Sequence, residues 1–139
     1  QHLTEACRIA GDAGIQVVFE SALLPAEVIE MCQRVSGLKI CYDLFNPLRF
    51  AFGDPVEEIA QIGLDHIDHF HTKDGPDNMV GCLPLGEGVG RYFDVMSLLK
   101  KLGYVGWLVT ENYYAAPPIS SAMSFDEAAI KDLATMRAY

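Results

Sequence analysis

The sequence predicts an α/β domain built on a parallel sheet, and three observations carry that expectation. Four short apolar runs alternate with helix-like stretches along the 139 residues. The runs are apolar without clean alternation, as strands buried on both faces are. Each run ends in an acid or a histidine: Glu20, Asp43, His71 and Glu111. Strict alternation of strands and helices builds a parallel sheet. Such a sheet stays open and doubly wound, or it closes as part of a (β/α)8 barrel. Open sheets gather ligands mainly at one switch point, whereas barrels draw functional groups from the ends of all their strands. Four consecutive functional strand ends favour the barrel. A whole barrel takes about 250 residues, so residues 1–139 are expected to form a single partial domain, half a barrel.

The first helix is expected over residues 2–12, with Leu3, Ala6, Cys7 and Ala10 on one side and Gly14 as its stop. The chain enters this helix directly from Gln1, as a chain cut from a longer one would. A strand follows at 15–20, carrying Val17-Val18-Phe19-Glu20. The helix over 25–35 opens on Pro25-Ala26-Glu27, where a first-turn proline sacrifices no helical hydrogen bond. The strand at 38–43 carries Ile40-Cys41-Tyr42-Asp43. Asp54-Pro55 starts a helix over 54–62, and Gly63 ends it. A strand at 66–71 carries Ile67-Asp68-His69-Phe70-His71. A helix over 92–102 ends at Gly103, a residue type suited to the left-handed turn after a helix. The strand at 106–111 carries Trp107-Leu108-Val109-Thr110-Glu111. The last helix, 124–138, starts with the capping box Ser124-x-x-Glu127. Two long loops, 44–53 and 72–91, follow strand carboxyl ends, where barrel active sites lie.

The composition narrows the partners. A formal charge of −9 and a pI near 4.7 argue against nucleic acid, whose phosphates need a basic face. Cys7, Cys32, Cys41 and Cys82 form no C-x-x-C pair and read as buried free thiols of a reducing, cytoplasmic protein. No apolar run approaches the ~20 residues of a membrane span, and no signal peptide is visible.

Side chains two apart on a strand share a face. His71 therefore shares its face with His69, which lies deeper in the barrel, and His66 falls on the outer face. Three carboxylates in an apolar barrel mouth repel and raise one another's pKa values, a cost that a divalent cation removes. Glu20, Asp43, His71 and Glu111 form an oxygen-rich set with one imidazole. Such a set suits Mn2+ first, then Mg2+ or Co2+, and accommodates Zn2+. Four protein ligands leave room for two substrate oxygens in an octahedral shell.

The same segments carry a family resemblance. They are Val17-Val18-Phe19-Glu20, Cys41-Tyr42-Asp43-Leu44-Phe45-Asn46, His69-Phe70-His71-Thr72-Lys73-Asp74, Pro84-Leu85-Gly86-Glu87-Gly88 and Gly103-Tyr104-Val105-Gly106-Trp107 leading to Glu111. In this order and spacing the chain resembles the carboxy-terminal half of the xylose isomerase-like TIM barrels, the sugar phosphate isomerase/epimerase group. The resemblance implies strands five to eight, a metal held by Glu20, Asp43, His71 and Glu111, and the two glutamates as an acid/base pair. It implies a sugar, sugar phosphate or cyclitol substrate, with proton abstraction beside a carbonyl and an enediolate stabilised by the metal. Two positions depart from the ketose epimerase pattern: Asn46 stands where those enzymes carry a His, and Asp77 where they carry an Arg. His-x-Lys-Asp and Gly-Tyr-x-Gly-Trp look equally like the inosose dehydratase branch, a lyase. The DNA-repair branch uses more histidines and a basic surface, which four histidines and the acidic charge do not match.

Asn46, Lys73 and Asp74 are candidate substrate-binding residues. Gly86-Glu87-Gly88-Val89-Gly90 lacks the Lys-Ser/Thr ending of a phosphate loop and reads as loop turns. Asn112-Tyr113-Tyr114 either stacks on a sugar ring or packs the last loop. A reading of another class treats the chain as a non-catalytic half-barrel. In either case a half-barrel leaves two sheet edges and apolar surface open. The expected partners are therefore a small sugar or polyol and a second half, either an amino-terminal half-barrel or another half-barrel in a homo-oligomer.

Overall fold

The computed structural model describes residues 1–77 and 79–139. Four parallel strands lie side by side in chain order: β1 (Val17–Glu20), β2 (Leu38–Asp43), β3 (Ile67–Thr72) and β4 (Leu108–Thr110). Helices α1 (His2–Asp12), α2 (Pro25–Arg34), α4 (Pro55–Ile62), α5 (Tyr92–Lys101) and α7 (Phe125–Arg137) alternate with them. This is an α/β fold matching part of a (β/α)8 barrel. Two four-residue helices, α3 (Asn46–Arg49) and α6 (Ile119–Ala122), lie in loops where the sequence pattern showed none. Both have proline at their start, Pro47 and Pro118, which sets the backbone for a single turn.

Side-chain caps mark the starts of α4 and α7. The Asp54 side chain accepts N–H bonds from Val56 and Glu57, and Ser124 with Glu127 forms the expected capping box. Arg91 ties the start of α5 to that of α4 through ion pairs with Asp94 and Asp54. Gly63 adopts φ 79° at the end of α4, a conformation that glycine reaches without a Cβ clash.

The main core lies between the sheet and the helices. Val28, Ile40, Tyr42, Ile59, Ile62, Phe70, Val95, Met96 and Leu99 pack there. The opposite side of the sheet carries Cys41, Asp43, His69 and His71. Register sets these neighbours: Glu20 pairs with Cys41, Asp43 with His71, and His71 with Val109. A bulge between Ile40 and Cys41 shifts the β2–β3 pairing by one residue. It brings Asp43 level with His71 rather than one residue out of step. Among the described residues no helix is long and apolar enough to cross a membrane.

Candidate metal centre

Glu20 and Asp43 are the last residues of β1 and β2, His71 is the penultimate residue of β3, and Glu111 follows β4. Parallel strands in chain order place those ends side by side, and the four side chains converge. One ligand atom from each lies within 4.8 Å of every other. Nδ1 of His71 is 3.6 Å from Glu20 Oε2 and 3.5 Å from Glu111 Oε2. Metal–ligand bonds of about 2.0–2.3 Å put ligand atoms about 3–4.6 Å apart, so the spacing fits one cation.

The polar atoms are left available for it. Asp43 Oδ1 accepts the backbone N–H groups of Phe45 (2.8 Å) and Asn46 (3.0 Å). Asp43 Oδ2, His71 Nδ1 and Glu111 Oε2 are buried without a hydrogen bond of ordinary geometry, and the two carboxylate oxygens meet the Lys73 ammonium. Buried polar atoms normally have full sets of partners, and one ammonium for three carboxylates leaves this cluster under-satisfied, as a cation site is. These residues therefore fit a divalent cation. Cys41, His69 and His71 form a second tight group. Burial, reinforced by Glu20 and Asp43, pushes the Cys41 thiol up to about 12. A thiol so reluctant to ionise is a poor ligand, and the oxygen-rich quartet is the stronger cation site.

Lys73 completes the cluster. It is 3% exposed, and its Nζ lies 2.5 Å from both Asp43 Oδ2 and Glu111 Oε2. Burial pushes the Asp43 carboxyl above its ordinary value, and the Lys73 ammonium offsets only part of that. Burial also acts upward on Glu111, but Lys73 and His71 outweigh it and hold this carboxyl below its ordinary value. Burial disfavours the Lys73 ammonium, yet the two carboxylates keep its pKa raised.

The other expected binding residues fall in different places. Asn46 is half-buried at the start of α3, and its backbone N–H is tied to Asp43. It borders a small crevice with Ser21, Tyr42 and Asp43. Asp74 is fully buried and faces the loop. Its carboxylate accepts the backbone N–H groups of Gly75, Gly86, Gly88 and Gly90 at 2.8–3.1 Å. The glycine-rich stretch thus wraps an internal anion. A Cβ at Gly88 would stand 2.3 Å from Asp74 Oδ1, which explains a glycine there. His69 is half-buried and holds Asp68 through Nδ1 at 2.8 Å.

Asn112 and Tyr114 pack the last loop, and Tyr113 is exposed with its ring 6.0 Å from Lys73 Nζ. Asn112 accepts the Asp74 N–H and donates to Leu83 and Asp132. Sequence reasoning missed Asp132, a fully buried acid of α7 that also accepts from Leu85 N–H and the Tyr114 hydroxyl. The signal available was an acid four residues after Ala128, on the face that α7 buries.

The family model of the xylose isomerase-like TIM barrel matches residues 1–139. The chain belongs to that family. A curated relative, the uncharacterized protein MJ1311 of Methanocaldococcus jannaschii, is 29% identical over 127 residues, covering 79% of this chain and 41% of its own. Among solved structures, the 3-keto-D-glucoside 4-epimerase YcjR of E. coli superposes with a TM-score of 0.71 at 18% identity. That match covers 99% of this chain and 51% of YcjR. A xylose isomerase-like TIM barrel protein from Mycobacterium smegmatis, in complex with magnesium, gives 0.69 at 22% identity, over 97% and 47% of the two chains. The chain thus spans about half the length of the proteins it matches.

Proposed function

We propose that this chain forms strands five to eight, the carboxy-terminal half, of a divalent-cation-dependent sugar or polyol isomerase or epimerase. The observation that carries the reading is the convergence of Glu20, Asp43, His71 and Glu111 within 4.8 Å at four adjacent strand ends. The magnesium complex and the epimerase among the structural neighbours support it. Mn2+ is the first choice, with Mg2+, Co2+ and Zn2+ as alternatives for the same donors. Bound there, the cation supplies Lewis-acid polarisation of a carbonyl oxygen and its neighbouring hydroxyl.

The chain's own groups move the proton. Glu20 at the end of β1 and Glu111 just after β4 lie 3.6 and 3.5 Å from His71 Nδ1, coming from the two edges of the sheet, so they can address opposite faces of one substrate carbon. One glutamate abstracts the proton next to the carbonyl, and the other returns one on the far face, which inverts the centre. Lys73 supplies fixed positive charge where negative charge develops on the substrate. Asn46, whose backbone N–H holds Asp43, is the candidate on β2's side for a substrate hydroxyl. Asp74 holds the loop on which Lys73 stands.

Incubation with a panel of ketoses and cyclitol ketones in deuterated water, with Mn2+ present, tests the reading. Solvent deuterium is expected at the carbon beside the carbonyl. E20Q and E111Q are each expected to lower exchange by about 10²–10⁴-fold. Exchange retained in either variant removes that residue from the mechanism. Loss of water from the substrate instead of inversion identifies the dehydratase-like lyase, a reading that the His71-x-Lys73-Asp74 segment also supports. No exchange with metal-loaded protein on any substrate leaves the non-catalytic half-barrel, to be paired with its other half.

A further inference from the structure

We infer that Lys73 is a built-in counter-cation of the carboxylate cluster, which competes with the divalent cation for the same oxygens and keeps it exchangeable. The inference rests on the proposed cation site. Asp43 Oδ1 is committed to two backbone N–H groups, which leaves Oδ2 for a cation, and Oδ2 is the oxygen that Lys73 contacts at 2.5 Å. Glu111 Oε2 faces His71 Nδ1 at 3.5 Å, and Lys73 contacts that oxygen too, at 2.5 Å. The ammonium therefore holds two of the carboxylate oxygens that a metal would use.

The lysine is buried and its stem is closely packed. Gly81 lies against its stem, where a Cβ would come within 2.8 Å of Lys73 Cβ. The Tyr113 backbone N–H is tied to Gly81 at 2.7 Å, and the Tyr113 ring stands 6.0 Å from Nζ. A unit positive charge held this close repels a second cation strongly at the low effective dielectric of a buried site. Without the metal, the same charge relieves the mutual repulsion of Glu20, Asp43 and Glu111. The lysine thus stabilises the metal-free protein and weakens metal binding through one contact.

The test is calorimetric titration of chelator-stripped protein with Mn2+, in wild type, K73M and K73R, alongside thermal melts of the metal-free forms. K73M is expected to bind Mn2+ at least tenfold more tightly and to melt at a lower temperature without metal. Saturating Mn2+ is expected to close that gap. K73R keeps the charge and is expected to stay within about threefold of wild type. If metal-free K73M does not fold, it is purified with Mn2+, and loss of the ion to excess chelator is timed. Release at least tenfold slower than wild type then supports the inference. Equal or weaker binding in K73M, or equal or faster release, overturns the role of Lys73 while leaving the cation site standing. K73R tightening as much as K73M assigns the effect to shape and also overturns it. Mn2+ binding to none of the three chains overturns the cation site and this inference together.

Discussion

Asp43 and Glu111 touch the same ammonium, yet their carboxyl groups depart from ordinary values in opposite directions. Exposure decides between them: the Asp43 side chain is fully enclosed, whereas 39% of the Glu111 side chain meets solvent. Desolvation therefore dominates at Asp43 and charge pairing at Glu111. A third acid gives a clean pH test. Glu58 is buried behind the sheet and accepts a 2.8 Å hydrogen bond from the Tyr42 hydroxyl. Burial raises its pKa, which Tyr42 only partly offsets. The protonated form is thus favoured by folding. That contribution is fully present below the unfolded carboxylate value of about 4.3 and is lost as pH rises through the higher folded value. E58Q is expected to melt above wild type at pH 8, with the difference vanishing below about pH 4. Melts at both ends of that range decide it. Strand parity made His71 distinguishable from His69, because alternation is a local property of a short run. The partner of Glu58 was not legible, since Tyr42 meets it only after α4 folds back over β2.

The loop from Thr72 to Arg91 is the element where sequence reading and structure differ most. Its length and its place after a strand marked it as functional. Its internal order depends on contacts twelve to sixteen residues apart, from Asp74 to Gly86, Gly88 and Gly90, which no local pattern announces. The same holds for Asp132, which reaches back from α7 to Leu85, Asn112 and Tyr114. D132A leaves a buried N–H and two further donors without their acceptor. It is expected to cost about 2–4 kcal/mol of unfolding free energy, read from urea titration. Because Asn112 adjoins Glu111, the variant is also expected to lower exchange activity in the folded fraction. The regular elements were legible within one or two residues where caps marked them, as at Asp54 and Ser124. β1 and β4 begin two residues later than their apolar patterns suggest. Ile15 and Gln16 precede the first rung of the ladder, Val17 with Leu38. Trp107 contributes its carbonyl to Phe70 but lies outside the strand, 78% exposed.

Across the whole molecule the two outer strands end the sheet, β1 on one side and β4 on the other. Ile15, Val105 and Trp107 are 63%, 97% and 78% exposed beside these strands. Exposed apolar surface at two sheet edges is where the proposed second half-barrel would pack. Cation binding at the proposed site would add stability by mass action. Mn2+ at a hundredfold excess over its dissociation constant is expected to add about 2.7 kcal/mol to the unfolding free energy, read as a rise in melting temperature that chelator reverses. An unchanged melting temperature counts against the site. The four candidate ligands come from four different strand ends, separated by more than twenty residues at each step. A slip of one residue in any pairing would turn one of them toward the helices. At the proposed site, loading with metal would therefore work as an audit of assembly: a chain that has mispaired a single strand would forfeit the ion, and bound metal would count the molecules whose whole sheet is in register.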